Sequence, residues 1–212
     1  MRVRTDERRQ TILDAAAAVF REQGFEGATM SAICQRAGGS KATLYGYFAS
    51  KEELFVAVTT DAMHAERDEL FEALTHEGDL RETLEHCGHA FLKLRLSSAA
   101  LAIQRVILAQ GARTELGKAL YDYGPRPCWQ RVADFMEEEM DAGRLRRTDP
   151  WVVATHLKGL LEADLSDRAM MGVEVTFSPE RIRKAVSAGV DVFLRAYGVQ
   201  VAGVPASERE LA

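Results

Sequence analysis

The sequence predicts an all-α fold, with an N-terminal three-helix helix-turn-helix head joined to a larger C-terminal helical body. Three observations support this prediction. Apolar residues recur at the three- and four-residue spacing of a helix in most segments. Strong helix-start signals, Asp149-Pro150 and Ser178-Pro179, precede two segments with wide apolar stripes. No long segment alternates apolar and polar residues as a half-buried strand would.

Capping residues divide the N-terminal part into four predicted helices. Thr29, Ser40 and Ser50 are residue types that favour the N-cap position, and Glu53 completes a capping box with Ser50. Gly24 stands where the first helix would need its C-cap. The predicted helices cover about residues 6–23, 29–37, 41–48 and 51–74.

The remaining sequence predicts a separate helical body. Gly124-Pro125 should interrupt one long helical segment, because proline removes a hydrogen-bond donor and clashes inside a helix. The predicted helices cover about residues 80–96, 99–110, 115–142, 150–165 and 179–197. We therefore expect a head at 1–52, a body at 53–198 and a flexible tail at 199–212, where helical periodicity is lost.

The second and third helices have the features of a DNA-binding helix-turn-helix. A Gly-Gly turn separates two short helices, and the third reads SKATLYGYF. In a major groove, Ser40, Lys41, Ala42 and Thr43 would face base edges, and Lys41 and Thr43 could form hydrogen bonds there. The phosphate-contacting candidates are Thr29, Tyr45, Tyr47 and Lys51, of which Lys51 lies in the first turn of the next helix. The alternative is a plain helical hairpin with surface tyrosines.

The distribution of charge along the sequence agrees with a nucleic-acid partner for the head. The chain has a formal net charge of −5, yet its first 51 residues carry more basic than acidic side chains. The acidic excess therefore lies in the body. A basic module on an acidic body indicates polyanion binding at one end of the molecule.

The segment GFEGATMSAICQRAGGSKATLYGYFASKEELF resembles the N-terminal domain of the TetR family of bacterial transcriptional regulators. The resemblance spans about residues 8–58. Two positions depart from that pattern: Gly39 is expected to loosen the turn, and Gly46 to weaken the third helix by up to roughly 1 kcal/mol. The matching positions are Phe20, Gly24, Thr29, Ile33, Ala37, Gly38, Leu44, Tyr45, Tyr47, Phe48, Lys51, Glu53 and Leu54.

The body is similar to that of an AefR-like subgroup of the same family. This resemblance implies an all-helical homodimer that binds double-stranded operator DNA and encloses a pocket for a small-molecule effector. We expect dimerisation through the helices at about 150–165 and 179–197, whose apolar stripes could form a four-helix interface. The alternative is that these stripes belong to the core of one subunit.

The body also contains residues suited to a small-molecule site, which needs apolar walls and a few polar groups. Gln104 and Arg105 are the best polar candidates, because they interrupt an otherwise apolar helix. Any member of the set could equally be simple core. The predicted ligand-binding residues are Phe91, Gln104, Arg105, Leu108, Tyr121, Trp129, Trp151 and His156, with Leu94 and Met136 as further candidates.

A second constellation suggests a different signal. Glu82, Glu85, His86 and His89 recur at helical spacing on one face, and paired His and carboxylate groups can bind a transition metal. The alternative is a polar solvent face, and we assign no metal site. The leading hypothesis is a repressor released from a pseudo-palindromic operator by a small apolar or amphipathic effector. The second hypothesis is a metal- or protein-responsive regulator that uses the Glu82/His86/His89 face.

Other classes of protein lack support in the sequence. The chain contains no GxSxG, HExxH, P-loop or dinucleotide fingerprint, so we expect neither an enzyme nor a bound cofactor. It has no apolar run long enough to cross a membrane and no signal-peptide pattern. Three cysteines outside any CxxC spacing favour a reduced, cytoplasmic protein.

Overall fold

The computed structural model describes residues 2–75, 77–110, 116–174 and 176–199, without the side chains of residues 2–5, 65, 66, 110, 116, 123 and 164. Within these ranges the regular elements are helices, which confirms the predicted all-α fold. None of the described helices is long and apolar enough to span a bilayer. The helices are α1 (Arg2–Gly27), α2 (Met30–Ala37), α3 (Lys41–Tyr47), α4 (Lys51–Ala62), α5 (His64–Glu72), α6 (Leu80–Arg95), α7 (Ser98–Gln110), α8 (Leu116–Tyr123), α9 (Pro125–Asp141), α10 (Pro150–Met170) and α11 (Pro179–Tyr197).

Several helix boundaries differ from the predicted ones. Helix α1 starts earlier and continues past Gly24, which has a left-handed φ of 70° and breaks the helix before a short final turn. The helix predicted over 51–74 is two helices, because Met63 (φ −107°, ψ 11°) leaves the helical conformation. Helix α10 runs beyond 165 to Met170 with one break at Ala163. Residues 200–212, most of the predicted tail, lie outside the described residues.

The predicted N-caps form as hydrogen-bonded caps. The Thr29 hydroxyl accepts from the Ala32 amide at 3.1 Å, and the Ser40 hydroxyl accepts from the Thr43 amide at 3.0 Å. At the start of α4, the Ser50 hydroxyl accepts from the Glu53 amide at 3.1 Å. These bonds satisfy amide groups that a helix start otherwise leaves unpaired.

Two apolar cores organise the described residues. The first lies within α1–α4, where the rings of Phe20 and Phe25 both contact Phe55 edge-on, with centroids 5.1 and 4.9 Å away. Ile103 of α7 and Leu120 of α8 join this cluster. The second core is built by α5, α6, α9, α10 and α11. Helices α7 and α8 therefore pack the body directly against α4.

Glycines allow the body helices to cross closely. A Cβ at Gly189 of α11 would lie 3.2 Å from the Leu160 carbonyl oxygen of α10. A Cβ at Gly88 of α6 would lie 2.9 Å from the Val186 side chain. The apolar stripes of α10 and α11, including Leu157 and Phe193, are consequently buried within one subunit. These buried stripes fill the subunit's own core, so dimerisation through α10 and α11, which stays a prediction, would use other faces of the two helices.

A buried carboxylate ties the end of α9 to the end of α11. The fully buried Glu139 accepts from Arg144 Nε and, at 2.5 Å, from Arg144 Nη2. Arg144 in turn accepts from the Val199 amide at 3.0 Å, and the Arg146 amide donates to Tyr197 at 2.8 Å. The loop after α9 is thus fixed by one ion pair and by main-chain bonds to the chain after α11.

We expect Glu139→Gln to destabilise the protein by about 1–2 kcal/mol, because it removes the charge that pairs with the partly exposed Arg144 guanidinium. Urea denaturation followed by circular dichroism measures the change. Glu137→Gln, on the exposed face of the same helix, is the matched control and should change stability by about 0.5 kcal/mol or less. Equal midpoints for the two variants would contradict the role of this pair.

Candidate nucleic-acid interface and cavity

The turn between α2 and α3 is braced from α1. Arg8 donates from Nη1 to the Ala37 carbonyl at 3.1 Å and from Nη2 to the Gly38 carbonyl. A Cβ at Gly39 would lie 2.3 Å from Arg8 Nη2, and Gly39 has a φ of 144°. Only glycine leaves this guanidinium its place. Arg8 thus braces the turn, and the loosening expected from Gly39 stays a prediction.

Helix α3 presents a polar face to solvent and an apolar face to the core. Leu44 and Phe48 are buried, as predicted. Lys41, Ala42 and Thr43 are exposed, and Tyr45 is 51% exposed. Exposed side chains at the start of a second helix match the recognition helix of a helix-turn-helix. The structure thus presents the predicted base-facing residues together on one accessible surface.

Several of the predicted DNA-contacting residues have partners within the protein. The hydroxyls of Thr29 and Ser40 act as N-caps, and the Ser40 hydroxyl also lies 2.9 Å from the Thr43 hydroxyl. Tyr47 is half-buried and packs against the first core, which leaves its ring less accessible than that of Tyr45. A contact from Thr29 or Ser40 to DNA would have to share a hydroxyl that already accepts a hydrogen bond.

Lys51 is hydrogen-bonded within the protein, and its phosphate contact stays a prediction. Its ammonium donates to the carbonyl oxygens of Phe25 at 2.8 Å, Ala28 at 3.1 Å and Glu26 at 3.4 Å. It also lies 4.5 Å from the centre of the Phe25 ring. An ammonium has three donors, and these three carbonyls use them all. In this structure Lys51 joins the start of α4 to the end of α1 and does not face solvent as a free phosphate ligand.

The body encloses a cavity of about 610 Å³ bounded by residues of α4 through α10. Its walls are mostly apolar and include four aromatic residues, of which Phe91 and Trp129 meet edge-to-face with centroids 5.0 Å apart. Thr59 and Thr60 of α4 also line it. The volume and the apolar walls suit a small organic ligand. Of the predicted ligand-binding residues, Phe91, Gln104, Tyr121, Trp129 and Trp151 line this cavity, as does Leu94.

Three predicted ligand residues lie outside the cavity. Leu108 is 75% exposed on the outer face of α7. Arg105 is turned toward the end of α10, where Nη2 donates to the Ala169 carbonyl at 2.8 Å. His156 is exposed and its Nδ1 pairs with the Tyr197 hydroxyl. These assignments were wrong because residue type does not reveal which side of a helix faces a cavity. Met136 is fully buried core and also does not line it.

Three cationic residues that sequence reasoning missed do line the cavity: Arg67, Arg95 and Lys158. Charged residues on helices usually indicate a solvent face, so the sequence carried no signal for them. The Cys128 thiol lies on the same wall, where burial raises its pKa to about 11 although Arg67 opposes the shift. Burial also raises the pKa of Cys87 to about 12. Both thiols therefore stay protonated and unreactive at neutral pH.

The proposed metal face does not form a metal site. Among the residues that the structure describes, no three His, Cys, Asp or Glu side chains are placed to hold an ion. His86 is exposed, and His89 is partly buried. Burial lowers the pKa of His89, with Glu85 opposing that shift. The helical spacing of Glu82, Glu85, His86 and His89 therefore reflects a largely polar surface, and the metal-responsive hypothesis has no support.

Comparison with known proteins agrees with both halves of the structure. A family model for bacterial regulatory proteins of the tetR family matches residues 12–58, and a model for the AefR-like transcriptional repressor C-terminal domain matches residues 82–199. The chain belongs to the TetR family. It is a DNA-binding transcriptional regulator with a helix-turn-helix and not an enzyme.

Solved structures of TetR regulators share the whole fold. A TetR-family regulator from Mesorhizobium loti MAFF303099 has a TM-score of 0.79 and 27% identity, covering 92% of this chain and 99% of that one. The flavonoid-responsive regulator FrrA has a TM-score of 0.75 and 31% identity, with the same coverage. The transcriptional activator FasR of Mycolicibacterium smegmatis is 39% identical over 90 residues. That match covers 42% of this chain and only 41% of FasR.

For a TetR head, the Lys51 geometry predicts a structural effect. We expect Lys51→Met to destabilise the protein by about 1–2 kcal/mol through loss of charged hydrogen bonds, as measured by thermal unfolding. DNA affinity should fall while the slope of log Kd against log salt stays unchanged.

Exposed Lys41 provides the matched control. Lys41→Met should leave stability within about 0.5 kcal/mol and reduce the salt slope by about 1, because it removes one exposed cation from the proposed DNA-facing surface. A reduced salt slope with full stability in Lys51→Met would restore Lys51 as a phosphate contact.

Proposed function

We propose that the protein is a repressor that binds a pseudo-palindromic operator as a homodimer and leaves it when a small amphipathic molecule fills the cavity. The observation that carries the proposal is a shared helix, α4, which begins in the head at Lys51 and reaches the cavity at Thr59. The matching C-terminal family description, an AefR-like transcriptional repressor, supports repression as the direction of control.

The exposed start of α3 supports sequence reading by the head. Lys41 and Thr43 can present an ammonium and a hydroxyl to base edges, and Ala42 and the Thr43 methyl can contact a thymine methyl. Tyr45 offers a phenolic hydroxyl to a phosphate. Helix α3 is short and depends on Leu44 and Phe48 for its anchorage, so the head is positioned by the core beneath it.

An outward face of α10 and α11 supports pairing of two subunits. Although their apolar stripes are internal, both helices leave small and apolar residues in solvent, including Val152 at 39% and Val192 at 48% exposed. Around these valines the exposed residues recur every three or four positions, which places them on one face of each helix. They are Val152, His156, Gly159 and Ala163 on α10, and Ala188, Val192 and Arg195 on α11. One self-complementary face is what a two-fold dimer requires.

Helix α4 supplies the connection between cavity and DNA. Thr59 lies eight residues after Lys51, which is roughly 12 Å along a helix. Leu54 and Phe55, between them, are buried in the head core. A ligand that displaces the cavity end of α4 would therefore move the head as a unit. In a dimer this changes the separation of the two α3 helices, which must match one helical turn of DNA, about 34–36 Å.

The composition of the cavity supports an aromatic, amphipathic effector. Phe91, Tyr121, Trp129 and Trp151 supply aromatic surface, and Gln104 and Thr59 supply polar groups. FrrA, whose fold and sequence this chain resembles, is flavonoid-responsive. A solved complex of the regulator SmeT, 25% identical to this chain, contains triclosan. Both neighbours respond to or bind aromatic molecules, which agrees with the walls seen here.

Thr43→Val should relax base preference by roughly 1–3 kcal/mol at one base pair per half-site, because it removes a hydroxyl and keeps the side-chain shape. Fluorescence anisotropy at fixed physiological salt measures binding to the upstream intergenic duplex, to its single-base-pair variants and to a scrambled duplex. Tyr45→Phe is the control and should weaken binding to all of them equally. Equal losses on every duplex for Thr43→Val would remove Thr43 as a base-reading residue, and absence of any native preference in the parent protein would overturn the proposed function.

Val192→Glu should convert the dimer to monomers, because it places a charge at the centre of the proposed interface. Sedimentation velocity measures the mass in solution. Val173→Glu is the matched control, since Val173 is 67% exposed but lies in the connection between α10 and α11. Unchanged mass in Val192→Glu would place the interface elsewhere.

A further inference from the structure

The polar groups of the cavity converge on Arg95, at the last turn of α6. Arg95 Nε donates to Glu162 Oε1, and Lys158 donates to Glu162 Oε2 at 2.9 Å. The Gln104 amide donates to the Arg95 carbonyl at 3.4 Å. Arg95, Lys158 and Gln104 all line the cavity. Three helices, α6, α7 and α10, thus bring a charged network to one part of its wall.

This network contains an unsatisfied donor. Arg95 Nη1 is buried from solvent and has no hydrogen-bond partner. A guanidinium has five N–H donors in a fixed fork, and a buried charged donor without an acceptor is costly to leave unpaired. Buried polar atoms that lack partners are rare in folded proteins. A ligand oxygen in the cavity would add an acceptor beside the guanidinium that carries this unpaired donor.

The charges around the cavity favour an anion as that acceptor. Arg67, Arg95 and Lys158 are the charged residues among its lining, and all three are cationic. Glu162 pairs with Arg95 and Lys158, so one carboxylate is shared between two cations. The cavity therefore retains an excess of positive charge in a setting of low dielectric. Charge-assisted hydrogen bonds to arginine are strong in such a setting and can be bidentate.

The remaining walls define the rest of the ligand. Phe91 and Trp129 pack edge-to-face with ring planes at 81°, and Trp151 and Tyr121 add two further aromatic walls. Aromatic side chains pack well against the face or edge of a flat ring system. A molecule with a planar aromatic body and one polar end would use both parts of the cavity at once.

We infer that the effector is an aromatic molecule bearing an anionic oxygen, a carboxylate or a phenolate, which pairs with the Arg95 guanidinium at the cationic part of the cavity wall while its rings pack between Phe91, Trp129 and Trp151. This inference rests on the proposed function, because it specifies the ligand of the same cavity. Recognition depends on charge at one end and on aromatic packing at the other, so a neutral ligand of equal shape binds more weakly.

A matched pair of probes tests the inference on the purified full-length protein. Biphenyl-4-carboxylate carries the anion, and 4-acetylbiphenyl has nearly the same shape without it. Isothermal titration calorimetry gives the affinity of each. Quenching of tryptophan emission reports the location, because the chain has only two tryptophans, Trp129 and Trp151, and both line the cavity. The carboxylate should bind roughly tenfold or more tightly than the ketone, the ratio expected for one charged hydrogen bond.

Substitutions at Arg95 and Glu162 test whether the preference for the carboxylate probe depends on Arg95. Arg95→Gln should abolish the preference for the carboxylate, and Arg95→Lys should retain part of it because the charge remains. Glu162→Gln should strengthen carboxylate binding, because it removes the competing anion beside Arg95. A merely structural role for the Arg95–Glu162 pair would instead weaken both probes in both variants. Arg105→Gln, an arginine outside the cavity, is the matched control and should leave both affinities unchanged.

Several outcomes would overturn the inference. These are equal affinities for the two probes, a carboxylate preference that survives in Arg95→Gln, or no binding of either probe. If an uncharged effector released the operator, the inference would fail and the proposed function would stand. The probe measurements need no DNA, so loss of operator specificity would overturn the proposed function without changing their result. Whether a phenolate can replace the carboxylate is tested by repeating the titration with 4-hydroxybiphenyl. The measurement is made below and above the pKa of its hydroxyl.

Discussion

Helix α4 is buried along its middle between the head and the body, and the rest of the structure depends on this packing. At its start, Lys51 is bonded to three carbonyls at the end of α1, and Leu54, Phe55 and Val56 fill the head core. Ile103 and Leu120 of the body join the same cluster. Head and body side chains share this one cluster, so α4 cannot shift without straining both, because packed interiors yield little. This is the physical basis on which a cavity can influence a DNA-binding surface.

The body combines a rigid part with an open part. Close crossings at Gly88 and Gly189 bring α6, α10 and α11 together, and the Glu139–Arg144 pair fixes the loop after α9. The cavity lies beside this rigid unit, against α4, α5, α7 and α8. Short helices with fewer close crossings surround the side of the cavity that faces the head.

Family membership and site chemistry answer different questions about this protein. The family models cover the head and most of the body and establish the class of regulator. The curated relatives differ in their printed direction of control, since FasR is an activator and the C-terminal family is described as a repressor. The fold does not determine which ligand binds, whereas the chemistry of the side chains around a cavity does. Here the informative group is Arg95, whose burial and missing partner distinguish this cavity from a simple apolar one.

Local sequence signals determined the all-α class, the caps at Thr29, Ser40 and Ser50, the break at Gly124-Pro125 and the exposed face of α3, because each depends on neighbours within one or two helical turns. Tertiary structure alone decided the rest. The partners of Lys51 lie more than 20 residues away, so its donors could not be assigned in advance. Leu108 and His156 were predicted to bind ligand but lie outside the cavity. The helical period groups residues on one face of a helix and does not show whether that face meets a cavity or solvent. Arg67, Arg95 and Lys158 came to line a cavity only when several helices closed around it, and no local pattern records that closure.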